Sequence, residues 1–281
     1  MGLRAPRPVL GGLRVALRAV PARHAAAAPG RCPAALTHVT LRIGTSSVRY
    51  AARVSRPRPW VIVPGIWNSD PDHWQSIWER ERQDERDQHD EHGQHDEHGQ
   101  RDQHDEHGQH GQHDHRDHHP QRAAVRIAPT SWSEPDPDDW RDAISTAVAS
   151  CTEPPVLIAH SLGVLAVADW LATTADAHAL VAGAFLVAPP DPLGDMFPAE
   201  ASGFVAPRPV PPAQQVPTRL VVSDDDPYCS ADRGVVFADV MGADVVRVGP
   251  LGHVNVASGV GAWPAGRELL RAFEDGLRPP R

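Results

Sequence analysis

Six short apolar runs rich in β-branched residues alternate with stretches of helical periodicity, and this alternation is the strongest constraint on the fold. The runs are Trp60–Val63, Ala124–Ile127, Val156–Ala159, Ala184–Val187, Arg219–Val222 and Val245–Val248. Helical patterns follow at Asp72–Arg80, Asp138–Ala149, Leu162–Thr173, Ala231–Met241 and Trp263–Asp275. Strands that are apolar at successive positions are buried on both faces, which predicts an α/β domain with a mostly parallel sheet of about six strands covered by helices on either side. The strand ends run into Pro64-Gly65, His160-Ser161, Pro189-Pro190 and Asp224-Asp225-Asp226. Sheets of this kind do their chemistry at the carboxyl edge, where those residues fall. Residues 188–217 hold nine prolines and little periodicity, so they read as a loop over that edge and not as a helical lid.

Two stretches stand apart from this pattern. Residues 1–59 contain 11 Arg and no Asp or Glu, and read as a disordered N-terminal extension, with an organellar transit peptide as the competing reading. Arg14 and Arg18 break its one apolar stretch, which argues against a secretory signal. Residues 82–121 repeat His, Asp, Glu, Gln and Gly and carry 11 of the chain's 17 histidines. With no apolar side chains to bury, they read as a disordered insert within a domain spanning 60–281. Imidazoles at this density predict adventitious binding of divalent metal, without a metal site in the folded domain.

Charge and cysteine usage exclude several classes. A formal net charge of −9 argues against a nucleic-acid partner, and no apolar run is long enough to span a bilayer. Cys32, Cys151 and Cys229 are odd in number and widely spaced, which disfavours a disulfide framework or structural zinc and fits a cytoplasmic location.

The chemistry concentrates in Leu157-Ile158-Ala159-His160-Ser161-Leu162-Gly163. An apolar run ends at a small residue, then Ser161, then Gly163, then a helix. This is the layout of a nucleophile elbow, whose sharp strand-to-helix turn exposes a serine hydroxyl. The usual pattern has glycine where this chain has Ala159. In this architecture the acid and the histidine follow the serine in chain order. The strand Arg219–Val222 ends in Ser223-Asp224-Asp225-Asp226-Pro227, and Asp226 is the chosen acid because Pro227 fixes the turn directly after it. His253, in the glycine-flanked loop after the last strand, is the candidate general base. For the oxyanion, one backbone N–H should come from Leu162 and the other from the loop after the first strand. Ile66 is the first choice there and Trp67 the second. By position alone, Trp67 and His160 are candidates to touch substrate, while His73-Trp74 reads as helix packing.

Six segments together resemble the small serine hydrolases of the retinoblastoma-binding-protein-9 and YdeN type. They are Val-Pro-Gly-Ile-Trp-Asn-Ser-Asp-Pro-Asp-His-Trp-Gln-Ser (63–76), Trp132 to Trp140 around Pro135, Ala-His-Ser-Leu-Gly (159–163), Leu-Val-Ala-Pro-Pro-Asp (186–191), Ser-Asp-Asp-Asp-Pro-Tyr-Cys-Ser (223–230) and residues 252–266. The resemblance covers roughly residues 60–275 and implies an α/β-hydrolase fold without a lid domain. It places nucleophile, acid and base on Ser161, Asp226 and His253, and it makes Ala159 ordinary, because these proteins commonly carry Ala-His-Ser-Leu-Gly.

The expected activity is cleavage of a small or exposed carboxylic ester, amide or thioester through an acyl-enzyme, with no cofactor. The partner is then a small-molecule acyl substrate. Two other readings stay open: a catalytically silent hydrolase-fold binding module, and a metal-binding protein acting through the His-rich insert. Residues 149–153 lack the leucine of the motif that docks to retinoblastoma pockets, and intact Ser, Asp and His argue against a silent module.

Overall fold

In the computed structural model, residues 58–85 and 123–277 are described, all within one compact unit, Ser55–Arg281. The strands are β1 (Trp60–Val63), β2 (Ala124–Arg126), β3 (Val156–His160), β4 (Gly183–Val187), β5 (Thr218–Val222) and β6 (Asp244–Arg247). They form one sheet in the order β2-β1-β3-β4-β5-β6, with every pairing parallel. The central strands β1, β3 and β4 are buried at every position, as their uninterrupted apolar runs predict. Charge limits further pairing at the outer strand β6, where Asp244 and Arg247 are exposed.

Alternate residues along each strand point to opposite faces, and each face has its own core. Val61, Leu157, Ala184 and Leu220 pack under α2 (Pro137–Ala149), α3 (Leu162–Thr173) and α5 (Ala231–Met241). Trp60, Ile62, Ile158, Phe185 and Val221 pack under α1 (residues 74–85) and α6 (Pro264–Gly276). Each helix begins where its sequence permits. Asp136 caps α2 through the Asp138 and Asp139 amides ahead of Pro137, and Ser230 caps α5, which ends on left-handed Gly242. Helix α3 is apolar on nearly every side because it lies sandwiched between α2 and the sheet.

The expected strands and helices are all present, with ends displaced by a few residues. Three differences have physical causes. Helix α1 runs over 74–85 instead of stopping at Arg80, so residues 82–85, grouped by sequence with the insert, are helical. Arg82 holds that last turn: its guanidinium lies 4.3 Å from the Trp60 ring centroid and donates to the Arg58 carbonyl. The rest of the insert, the N-terminal extension up to residue 57 and Cys32 lie outside the described residues. A four-residue helix α4 (Ala177–Leu180), too short to show periodicity, starts at left-handed Asp176 and contains His178. The proline-rich stretch 188–217 holds two short 3-10 turns and drops Phe204, Val210 and Val216 into the core.

Residues 85 and 123, between which the His-rich segment joins the fold, lie at the amino edge of the sheet. Arg267 also stacks on Trp60 there, at 4.4 Å, and the Trp60 indole donates to Glu274 at 2.7 Å. The elbow and its partners lie at the opposite edge. Among the described residues, no helix is long and apolar enough to cross a membrane.

Candidate active site

Ser161 directly follows β3 with φ 54° and ψ −126°, a conformation that glycine adopts freely and other residues only under strain. Such a residue costs roughly 1–3 kcal/mol, which the surroundings must supply. The Ser161 amide donates to the Val187 carbonyl (3.0 Å), and its own carbonyl accepts from Val164 as α3 begins. Gly163 is required because a Cβ there would stand 2.4 Å from the Val63 carbonyl oxygen and 2.5 Å from that of Pro64. Gly65 is constrained from the other side: its Cβ would meet the Ser161 Cβ at 2.9 Å. Ala159 sits in register with Val63 and Leu186 and is fully buried, so a small side chain suffices there.

Beyond β6, the turn through left-handed Gly249 and Gly252 brings His253 over the serine. The Nδ1 of His253 lies 2.9 and 3.0 Å from the two carboxylate oxygens of Asp226, and its Nε2 lies 2.8 Å from Ser161 Oγ. A carboxylate only accepts, so Nδ1 carries the proton and Nε2 accepts from the serine hydroxyl. The side chains of Asp226 and His253 are almost fully buried. The three consecutive aspartates separate cleanly in space. Asp224 pairs with Arg247, Asp225 accepts from the Ser223 hydroxyl and the Gly252 amide, and Asp226 alone of the three faces the imidazole.

Ser161, Leu162, Ile66 and His253 line one cavity of about 250 Å³. Among the described residues, the amides of Ile66 and Leu162 donate no backbone hydrogen bond, whereas the Trp67 amide donates to the Trp132 carbonyl at 2.8 Å. Trp67, the second choice for an oxyanion donor, is therefore already committed. Its side chain forms part of the cavity wall and is 61% exposed.

Three residues near the site carry roles with no local sequence signal. Gln75 is fully buried, and its Nε2 donates to the carbonyls of Val63 (3.2 Å) and Ile158 (3.1 Å), tying the end of β1 to the middle of β3. Trp74 donates from Nε1 to the Val254 carbonyl at 2.9 Å. His73, expected to be helix packing, lines the cavity; its Nδ1 accepts from the Gln75 backbone amide, and its buried Nε2 has no partner among the described residues. Burial, with Arg126 and His253 nearby, lowers the His73 pKa from 6.5 to about 4, so the ring is neutral at pH 7. His160 lines the same cavity but is itself buried, with its Nε2 2.8 Å from the His253 carbonyl. Cys229 is no rival nucleophile: desolvation and Asp191 push its thiol up to about 12, which keeps it protonated.

Known proteins share the family and the fold. The serine hydrolase family model matches residues 97–272, more than half of the chain. A protein described as a YdeN-like hydrolase, from Pectobacterium atrosepticum, is similar in structure with a TM-score of 0.56 and 29% identity, over 79% of this chain and 92% of its own. The ydeN gene product of Bacillus subtilis shares the fold with a TM-score of 0.50 and 19% identity, over 78% of this chain and 99% of its own. No curated protein matches the sequence. The elbow, the six-stranded parallel sheet and the family match lead to one conclusion: this chain belongs to the serine hydrolase family, as a YdeN-type hydrolase of the α/β-hydrolase fold.

Proposed function

We propose that this hydrolase cleaves a small or exposed carboxylic ester, amide or thioester through an acyl-enzyme on Ser161, with His253 as general base and Asp226 as its partner. The observation that carries the reading is the unbroken hydrogen-bonded chain Asp226–His253–Ser161, at 2.9 and 2.8 Å. His253 Nε2 takes the hydroxyl proton as Ser161 Oγ attacks the acyl carbon. The amides of Ile66 and Leu162 receive the developing oxyanion. Collapse of the tetrahedral adduct expels the alcohol, amine or thiol, which takes the proton back from His253. Water, activated by the same imidazole, then releases the acid and frees Ser161.

Two further observations support the reading. Both proposed oxyanion donors lack another backbone acceptor, so they can bind the charge without giving up an existing bond. The cavity, at about 250 Å³, lies below the roughly 300–1,000 Å³ typical of ligand pockets, which favours a short acyl group.

The test is labelling with a fluorescent fluorophosphonate. The wild type is expected to label, and both Ser161→Ala and His253→Ala to abolish labelling. A folded wild type that does not label would count against an activated serine and favour a silent binding module.

A further inference from the structure

By position alone His160, the residue before Ser161, is a candidate to touch substrate. Here its imidazole reaches elsewhere. The Nε2 of His160 lies 2.8 Å from the backbone carbonyl of His253, which lies 93 residues further along the chain. A carbonyl only accepts, so this nitrogen carries the proton. The next residue, Val254, is fully buried and left-handed, with φ 48°, a conformation unfavourable for a β-branched side chain. Its own carbonyl accepts from the Trp74 indole at 2.9 Å. The His253 amide in turn donates to Ser258 Oγ at 3.0 Å. The backbone that carries the general base is thus fixed by side chains from β3, α1 and the following 3-10 turn. Without them it is free to relax toward an ordinary φ and carry the imidazole off Ser161.

We propose that His160 is a positioning residue: the Nε2–H it gives to the His253 carbonyl keeps the general base in register with Ser161. The proposal rests on the reading of His253 as that base. Burial, with His253 and His73 as neighbours, holds the His160 pKa well below 6.5, so the ring adds no charge beside the reacting pair. The groups facing His253 are Asp226, Ser161, His160 and the Tyr228 ring (centroid 4.4 Å away), with His73 packed behind His160 (4.8 Å). One arrangement therefore links the elbow to the histidine loop through a single hydrogen bond, apart from the Ser161–His253 contact itself.

The test compares His160→Phe, which keeps a ring and loses the donor, with His160→Gln, whose amide nitrogen lies the same number of bonds from Cα. Both are measured by the rate of fluorophosphonate labelling and by kcat and KM on p-nitrophenyl acetate. His160→Phe is expected to lower kcat and the labelling rate by about 10- to 100-fold with KM within about twofold, since a small misplacement of a reacting group has that cost. His160→Gln should recover most of the loss. Trp74→Phe, which removes the neighbouring donor, should lower kcat several-fold in the same manner, and it serves as the test if His160→Phe does not fold. Unchanged kcat in His160→Phe, a loss confined to KM, or a His160→Gln variant as impaired as His160→Phe would each overturn the proposal. A wild type that fails to label would instead bring down the assignment of Ser161 and His253, and this proposal with it.

Discussion

At the carboxyl edge of the sheet, four of the six strands lead into a non-glycine residue of positive φ: Trp67 and Asn68 after β1, Ser161 after β3, Ala188 after β4 and Val254 after β6. At the amino edge the chain is held by stacking instead, with the Arg82 and Arg267 guanidiniums on the Trp60 ring and Glu274 on its indole. The first edge spends stability on geometry. The second is held by guanidinium stacking and by the hydrogen bond from the Trp60 indole to Glu274. Strain at the carboxyl edge, held in place by the fully buried central strands β1, β3 and β4, accompanies the convergence of Ser161, His253, Ile66 and Leu162 on one cavity. Changes at the carboxyl edge should therefore reach the rate, whereas changes at the amino edge should leave it alone.

The largest separation is expected from Ser161→Ala, which should reduce ester hydrolysis by about 10⁴-fold or more while leaving the melting temperature unchanged or raised, because it removes only the reacting oxygen. Gly163→Ala should break the pattern in an informative way. Its Cβ would overlap two backbone carbonyls that cannot swing aside, so it should cost about 2–3 kcal/mol in urea unfolding and at least tenfold in rate.

Acid should distinguish the edges next. The folded His73 pKa of about 4 lies below the ordinary 6.5, so between these values the unfolded chain binds a proton that the folded chain does not. Stability from this group is fully present above pH 6.5 and falls as pH drops toward 4, by about 3 kcal/mol over the whole window. Melting temperatures measured from pH 7 to 4.5 should decline less steeply in His73→Phe than in the wild type. The smallest effect is expected from Arg267→Met at the amino edge. Among the described residues the buried Nε and Nη1 of Arg267 have no hydrogen-bond partner, and burial lowers its pKa, so an apolar replacement should shift stability by less than about 1 kcal/mol and leave kcat alone. A tenfold loss of kcat in that variant would end the separation of the two edges.

The parts of the site legible in the sequence are those set by local constraint. Ser161 and Gly163 declare themselves because a strand-to-helix turn this tight admits few residues, whereas three consecutive aspartates leave the acid open and Pro227 only favours Asp226. Ile66 could be preferred over Trp67 only as a guess, since the choice depends on the Trp132 carbonyl that occupies the Trp67 amide. The roles of Gln75, Trp74 and His160 were hidden for the same reason: each side chain serves a backbone carbonyl distant in sequence, and no periodicity records that partner. In the fold, strands buried on both faces are readable from their uninterrupted apolar runs, whereas the last turn of α1 depends on the stacking of Arg82 on Trp60.

The central claim is that the acyl group passes through Ser161. Its most direct test is an acid quench of the enzyme during turnover of p-nitrophenyl acetate, followed by intact mass and peptide mapping. One acetyl group on the peptide containing Ser161, absent in Ser161→Ala, is the predicted result. Turnover with no acyl adduct at Ser161, or with undiminished turnover in Ser161→Ala, would contradict the account.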